Sequence, residues 1–180
     1  MNFFKDYFSL LSEKITEIDI SILNQIVDLI KSTSNNGKKV IIAGNGGSAA
    51  MASHVAIDLT KNAKIRAINF NEADLITCFA NDYGYEEWVS KSIDFYGDKG
   101  DLVILISSSG NSKNIINAAK KAKDMGLTLI TLSGFNPDNP LRKIGDLNLF
   151  IESKGYNIVE MTHHIWLVAI VDKIIGKIEY

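Results

Sequence analysis

Two loops carry the residues best suited to chemistry. The first follows Val40-Ile41-Ile42-Ala43 and reads Gly44-Asn45-Gly46-Gly47-Ser48 before the small-residue stretch Ala49-Ala50-Met51-Ala52. An apolar strand that breaks into glycines ahead of a helix offers backbone N–H groups and a helix N-terminus to an anion. The second, Ser107-Ser108-Ser109-Gly110-Asn111-Ser112, runs straight from an apolar strand into Lys113–Ala119. Four hydroxyls and a glycine at such a junction can hold one phosphate without a lysine, the helix dipole supplying the field. Taken alone, the glycine turn also reads as a bare strand-to-helix connection, and the serine loop as a helix cap. Neither is a nucleotide signature. No lysine stands between Val40 and Thr60 to complete a Walker pattern, and Gly44–Ala49 stops short of G-x-G-x-x-G, so no nucleotide cofactor is expected.

The elements that must position these loops follow from periodicity. Residues 3 to about 34 read as two amphipathic helices, with Phe4, Tyr7, Phe8, Leu11 and Ile15 on one face, Ile22, Ile26, Leu29 and Ile30 on the next, and Asp19 as a cap between them. After Gly37 short apolar runs alternate with helical stretches: strands at Val40–Ala43, Ile65–Ile68, Leu102–Ile106, Leu127–Leu132 and Leu147–Ile151, helices at 48–60, 73–80, 85–95, 112–125 and about 157–176. This order predicts an α/β fold: a doubly wound, flavodoxin-like, five-stranded parallel sheet with helices on both faces, plus the N-terminal helices. Ligands of such sheets sit at the carboxyl ends of the strands, where both loops fall. The last helix is apolar on nearly every side through Ile165–Val171, so it must be buried by its own domain or by a neighbouring subunit. Pro137 and Pro140 mark a surface connection between the fourth and fifth strands.

At 180 residues, 46% hydrophobic and 22% charged, the chain suits one globular domain, 1–180, with 1–35 as a helical extension. A net charge of −2 leaves no electrostatic footprint for nucleic acid. The single cysteine, Cys78, precludes an intrachain disulfide. The first residues lack a signal-peptide pattern, and no run of about 20 apolar residues offers a membrane span, so a cytoplasmic location is expected.

Three motifs in order, Gly44–Ala50, Ala80-Asn81-Asp82-Tyr83-Gly84-Tyr85 and Ser107–Ser112, resemble the sugar isomerase (SIS) domain family, and within it the phosphoheptose (sedoheptulose 7-phosphate) isomerase type, over essentially the whole chain. The resemblance implies an aldose–ketose isomerase that converts sedoheptulose 7-phosphate to a heptose 7-phosphate through an enediol, serving lipopolysaccharide or capsule biosynthesis. It implies that Asn45, Gly46, Gly47 and Ser48 bound the sugar, that Asn81 and Asp82 contact its hydroxyls, and that Ser107, Ser108, Ser109 and Ser112 hold the phosphate. It also implies a homotetramer with active sites between subunits. Other members of the family bind phosphosugars or proteins without catalysis, and others isomerise different sugar phosphates; both remain alternatives.

The family pattern includes a zinc site from His and Glu four apart on the helix after the first loop, and from Gln or Glu followed eight residues later by His on the last helix. Here those positions hold His54, Asp58, Glu160 and Val168. His164, one turn before Val168, shares its helical face with Glu160. Two expectations follow. Either His54, Asp58, Glu160 and His164 hold Zn²⁺ or another divalent ion, or Asp58, Glu160 and His164 act as acid and base without one, with His163 or His164 a merely buried histidine.

Overall fold

The structure, a computed structural model, describes residues 2–179. Its elements run α1 (Phe3–Thr16), α2 (Ile20–Asn35), β1 (Val40–Gly44), α3 (Gly47–Lys61), β2 (Ala67–Ile68), α4 (Ala73–Tyr83), α5 (Trp88–Tyr96), β3 (Leu102–Ser107), α6 (Lys113–Asp124), β4 (Thr128–Gly134), β5 (Leu147–Ile151) and α7 (Tyr156–Ile175). The five strands form one parallel sheet in the order β2-β1-β3-β4-β5, as the alternation of runs and helices predicts.

β1 and β3 are buried along their whole length because each strand face meets helices. Side chains alternate between two core layers. Val40, Ile42, Leu102, Ile104, Ile106 and Ile130 pack with Ile26 and Ile30 of α2, Met51, Val55 and Leu59 of α3, and Trp166, Leu167 and Ile170 of α7. Ile41, Ala43, Val103, Leu105 and Leu129 pack on the other face with Trp88, Val89 and Ile93 of α5 and Ile115, Ala118 and Ala122 of α6. The chain leaves β1 toward β2 and returns on the other side to form β3. The switch point therefore lies between the ends of β1 and β3, where Gly44 is in register with Ile106.

The second strand is shorter than its apolar run. Lys64 takes a left-handed conformation (φ 59°) and the Ile65 N–H turns back to the Leu59 carbonyl. Half of Ile65–Ile68 thus closes α3, and only Ala67 and Ile68 pair with β1. Asp19 caps α2 as expected, accepting from the Ser21 N–H at 2.8 Å. The apolar face of α1 is not buried: the helix has no buried residue, and Phe3, Phe4 and Phe8 are 71%, 68% and 59% exposed. The helix is tied to α7, where the indole N–H of Trp166 donates to the Ile15 carbonyl at 2.9 Å.

Candidate functional site

The serine loop is shaped from below. The Gly110 N–H bonds to the Ser107 carbonyl at 2.9 Å, closing a turn that needs φ 66° at Gly110. A Cβ there would stand 2.0 Å from Oδ1 of Asn139, so the side chain of Asn139 fills the space a larger residue would take. Asn139 is buried in the connection between β4 and β5, donates to Ser133 Oγ (3.1 Å) and the Asn136 carbonyl (2.8 Å), and accepts from the Arg142 N–H (2.9 Å). The Leu141 N–H reaches the Gly110 carbonyl at 3.2 Å, and the Gly134 N–H reaches that of Ser108 at 2.8 Å. The proline-marked connection, expected as surface, therefore has a buried centre that supports the loop.

Above this support lies a cavity of about 120 Å³. It is lined by Ser107–Ser109 and Ser112, by Asn45 and Ser48 of the glycine turn, and by Tyr156 and Glu160 of α7. Ser107 Oγ donates to Ser112 Oγ at 3.1 Å, and Ser112, the N-cap of α6, makes no side-chain cap bond. Its O–H and the N–H groups at the start of α6 are thus left available to a ligand. Among the described residues neither lysine nor arginine lines the cavity. The four serines are brought together as the sequence predicted.

The glycine turn lies against the same cavity. Gly47 opens α3, and a Cβ on it would stand 2.2 Å from a carboxylate oxygen of Glu160. The missing side chain is what lets the acid of α7 reach the turn. Glu160 also receives Ser108 Oγ at 3.5 Å, at the long end of a hydrogen bond. Asn45 pairs its amide with that of Asn114 on α6.

The remaining titratable residues form a chain. His54 Nδ1 and His164 Nε2 share a hydrogen bond of 2.8 Å, His54 Nε2 lies 3.2 Å from Asp58 Oδ2, and Asp58 Oδ1 accepts from Asn62 Nδ2 at 3.1 Å. Partial burial lowers the pKa of His164, the charge of His54 lowers it further, and Asp58 opposes both. His163, beside it, is wholly buried; desolvation pushes its pKa down to about 4, and its Nε2 meets the Ser133 carbonyl at 3.2 Å. His163 is the core histidine of the pair, and His164 is the one that faces other chemistry.

As placed, His54, Asp58, Glu160 and His164 are hydrogen-bonded to their neighbours and are not set as four ligands around one ion. His54 spends both ring nitrogens on different partners, and Glu160 is directed to Gly47 and Ser108. Two imidazole nitrogens on one tetrahedral Zn²⁺ at about 2.0–2.1 Å would stand about 3.3 Å apart, more than the 2.8 Å between His54 and His164. No group of three or more His, Cys, Asp or Glu side chains able to hold an ion occurs among the described residues. His54, Asp58 and His164 do come together, as a hydrogen-bonded relay.

Asn81 and Asp82 stand apart from the cavity, exposed near the end of α4, where Asn81 Nδ2 donates to Asp82 Oδ1 at 2.9 Å. Tyr156, which lines the cavity, escaped the sequence reading. Its signal was its position four residues before Glu160, which puts Tyr156, Glu160 and His164 on one face of α7. Phe135, whose φ of 64° is rare for an aromatic residue, packs edge-on against Tyr156 with ring centroids 4.7 Å apart.

Comparison with known proteins identifies the family. The SIS domain matches residues 3–134. The phosphoheptose isomerase of Helicobacter pylori (strain P12) is 36% identical over 156 residues, covering 83% of this chain and 81% of that one. Among solved structures, the phosphoheptose isomerase GmhA from Neisseria gonorrhoeae superposes with a TM-score of 0.87 at 28% identity, covering 95% of this chain and 94% of that one. A phosphoheptose isomerase from Francisella tularensis superposes with a TM-score of 0.88 at 25% identity, covering 97% of each.

Proposed function

Because this chain belongs to the SIS domain family and is a relative of the phosphoheptose isomerases, we propose that it interconverts sedoheptulose 7-phosphate and a heptose 7-phosphate. The observation that carries this reading is the serine-lined cavity with a carboxylate, Glu160, at its edge. Serine hydroxyls and the N-terminus of α6 hold the phosphate, and Glu160 stands where the sugar leaves the cradle. Aldose–ketose interconversion moves a proton between C1 and C2 through an enediol, which needs a base at carbon and a proton donor and acceptor at the oxygens. Glu160 serves as the base. The His164–His54–Asp58 relay, one turn further along α7, exchanges protons with the oxygens, and Asp58 orients His54. No step is assigned to a metal.

A cavity of about 120 Å³ takes a phosphate and little more, well below the roughly 300 Å³ at which ligand pockets begin. The rest of the sugar must be enclosed by something else. Exposed aromatic residues on α1, and on α4 and α5 at Tyr83, Phe95 and Tyr96, support a homotetramer whose neighbouring subunits complete each site and bring Asn81 and Asp82 to it. No helix is long and apolar enough to cross a membrane among the described residues, which agrees with a cytoplasmic enzyme of heptose supply for surface polysaccharide.

The test is incubation with sedoheptulose 7-phosphate in deuterated water. Deuterium at C1 or C2 together with an aldose product is expected. Binding without exchange overturns catalysis in favour of a phosphosugar-sensing role, and exchange only with a pentose or hexose phosphate overturns the substrate.

A further inference from the structure

Asn45 was expected to contact the sugar, yet most of its hydrogen-bonding capacity is already used. Its Oδ1 accepts from Asn114 Nδ2 at 2.8 Å and from the Tyr85 hydroxyl at 3.3 Å, and its Nδ2 donates to Asn114 Oδ1 at 2.9 Å. An amide oxygen has two lone pairs and an amide nitrogen two hydrogens, so Oδ1 is saturated and one N–H is left. Asn114 is buried, in the first turn of α6, and its own amide is committed to the same pair. Three pieces of chain meet here: the glycine turn after β1, the segment after α4, and the phosphate-side helix α6.

We propose that Asn114 and Tyr85 are positioning residues, which fix the Asn45 amide so that it meets the sugar as a hydrogen-bond donor only. The proposal rests on the isomerase reading for the identity of the sugar, but the geometry concerns any sugar phosphate seated on the serine loop. A reciprocal amide pair fixes the rotation of both side chains, where a single hydrogen bond would let Asn45 turn. Because the pair joins the turn to α6, it also sets the distance between the sugar end of the site and the phosphate end. With Oδ1 filled, the Asn45 amide presents only an N–H and suits sugar oxygens that accept, such as a carbonyl or an enediolate oxygen, over hydroxyls that must donate.

The consequence is a split between the two halves of the ligand. Removing the Asn114 amide frees Asn45 to rotate and loosens the sugar end, while the serine hydroxyls and the Gly110 turn stay as they are. Calorimetry with inorganic phosphate and with sedoheptulose 7-phosphate reads the two halves separately, and turnover reads a third quantity. In Asn114→Ala, affinity for sedoheptulose 7-phosphate is expected to fall 10-fold or more, with that for inorganic phosphate within 2-fold of wild type. Tyr85→Phe, which removes one hydroxyl and threatens no packing, should shift the sugar phosphate in the same direction by a few-fold. The Asn45→Ala/Asn114→Ala double variant should be no weaker than the weaker single variant, because both act through one pair.

Three results overturn the proposal: sugar-phosphate affinity of Asn114→Ala within 2-fold of wild type, parallel loss of phosphate and sugar phosphate, or effects that multiply in the double variant. If Asn114→Ala does not fold, Tyr85→Phe decides alone. A wild type that binds sedoheptulose 7-phosphate more tightly than phosphate yet turns nothing over overturns the isomerase reading and leaves these affinities to decide the role of Asn114. A wild type with no preference for the sugar phosphate overturns both.

Discussion

Gly47→Ala separates the place of Glu160 from its presence. The added Cβ would stand 2.2 Å from Oε2, 2.8 Å from Cδ and 3.1 Å from Oε1 of Glu160, whereas ordinary contact begins at 3.4 Å. The nearest atoms belong to the far end of a flexible side chain, so the carboxylate moves by about 1 Å and the backbone stays. Gly47 does not have a positive φ and is the first residue of α3, so alanine adds no backbone strain there. Helix propensity favours it by at most about 1 kcal/mol. For a chain of this size 1 kcal/mol is about 2–4 °C in Tm, so the variant should melt at the wild-type temperature or slightly above. Catalysis is less tolerant: a 1 Å misplacement of a reacting group can cost about 10²-fold. Steady-state turnover of sedoheptulose 7-phosphate beside thermal melting gives both numbers. The expected outcome is a kcat lowered about 100-fold at unchanged Tm, with Gly47→Ala/Glu160→Gln no slower than Glu160→Gln. A kcat within 3-fold of wild type would show that Glu160 is not the base held at this turn. A Tm lowered by more than about 5 °C would show that the glycine serves the fold instead.

Gly110→Ala should behave in the opposite way: a left-handed alanine and the displaced Asn139 together cost about 2–4 kcal/mol, seen as a lower urea midpoint and weaker inhibition by phosphate. His163 gives a pH signature. Its folded pKa of about 4 lies below the 6.5 of the free side chain, so its contribution is complete above pH 6.5 and is lost as pH falls toward 4. The loss approaches about 3 kcal/mol, and urea unfolding at pH 7.5 and 4.5 should show most of it in wild type and little of it in His163→Gln. Protein purified without added metal should contain no stoichiometric zinc by elemental analysis and should keep its activity in chelator; a full equivalent of zinc that disappears in His164→Ala would refute the relay geometry. Phe4→Ser/Phe8→Ser should lower the oligomeric state in sedimentation, and an unchanged state would place the interface elsewhere.

The fold was legible because its signals are local and redundant. Buried runs such as Leu102–Ile106 and helices such as 112–125 follow from residue type and period alone, and with five of them in alternation the parallel sheet is nearly forced. The serine loop was legible for the same reason, since its four hydroxyls fall within six residues. What the sequence concealed depends on approach between distant segments. The closeness of Gly47 to Glu160, 113 positions apart, comes from the packing of α7 beside α3 on one face of the sheet. The pairing of Asn45 with Asn114 spans 69 positions and has no period to betray it. Helical spacing sets which residues share a face but not where each side chain ends. Glu160 and His164 do share a face of α7, yet one reaches the glycine turn and the other reaches His54.

The lack of cations in the phosphate cradle has a reason in the chemistry next to it. A lysine or arginine among Ser107–Ser112 would bind phosphate more strongly than a hydroxyl, but it would stand within reach of the carboxylate that lines the same cavity. Glu160 would then pair with the cation and be drawn away from the sugar, and a carboxylate held in an ion pair is a poorer base. Hydroxyls and the N-terminus of α6 avoid this. They would hold a phosphate dianion through several neutral donors and a fixed dipole, and they leave Glu160 with a long contact to Ser108. Such a cradle depends on geometry more than on charge, since each neutral bond contributes about 1 kcal/mol and several must be made together. The buried supports under the loop, Asn139 beneath Gly110 and the Gly134 N–H beneath Ser108, supply that geometry. A Ser109→Lys variant should therefore bind inorganic phosphate more tightly and turn sugar phosphate over more slowly. Tighter binding with undiminished kcat would show that the cradle and the base are independent.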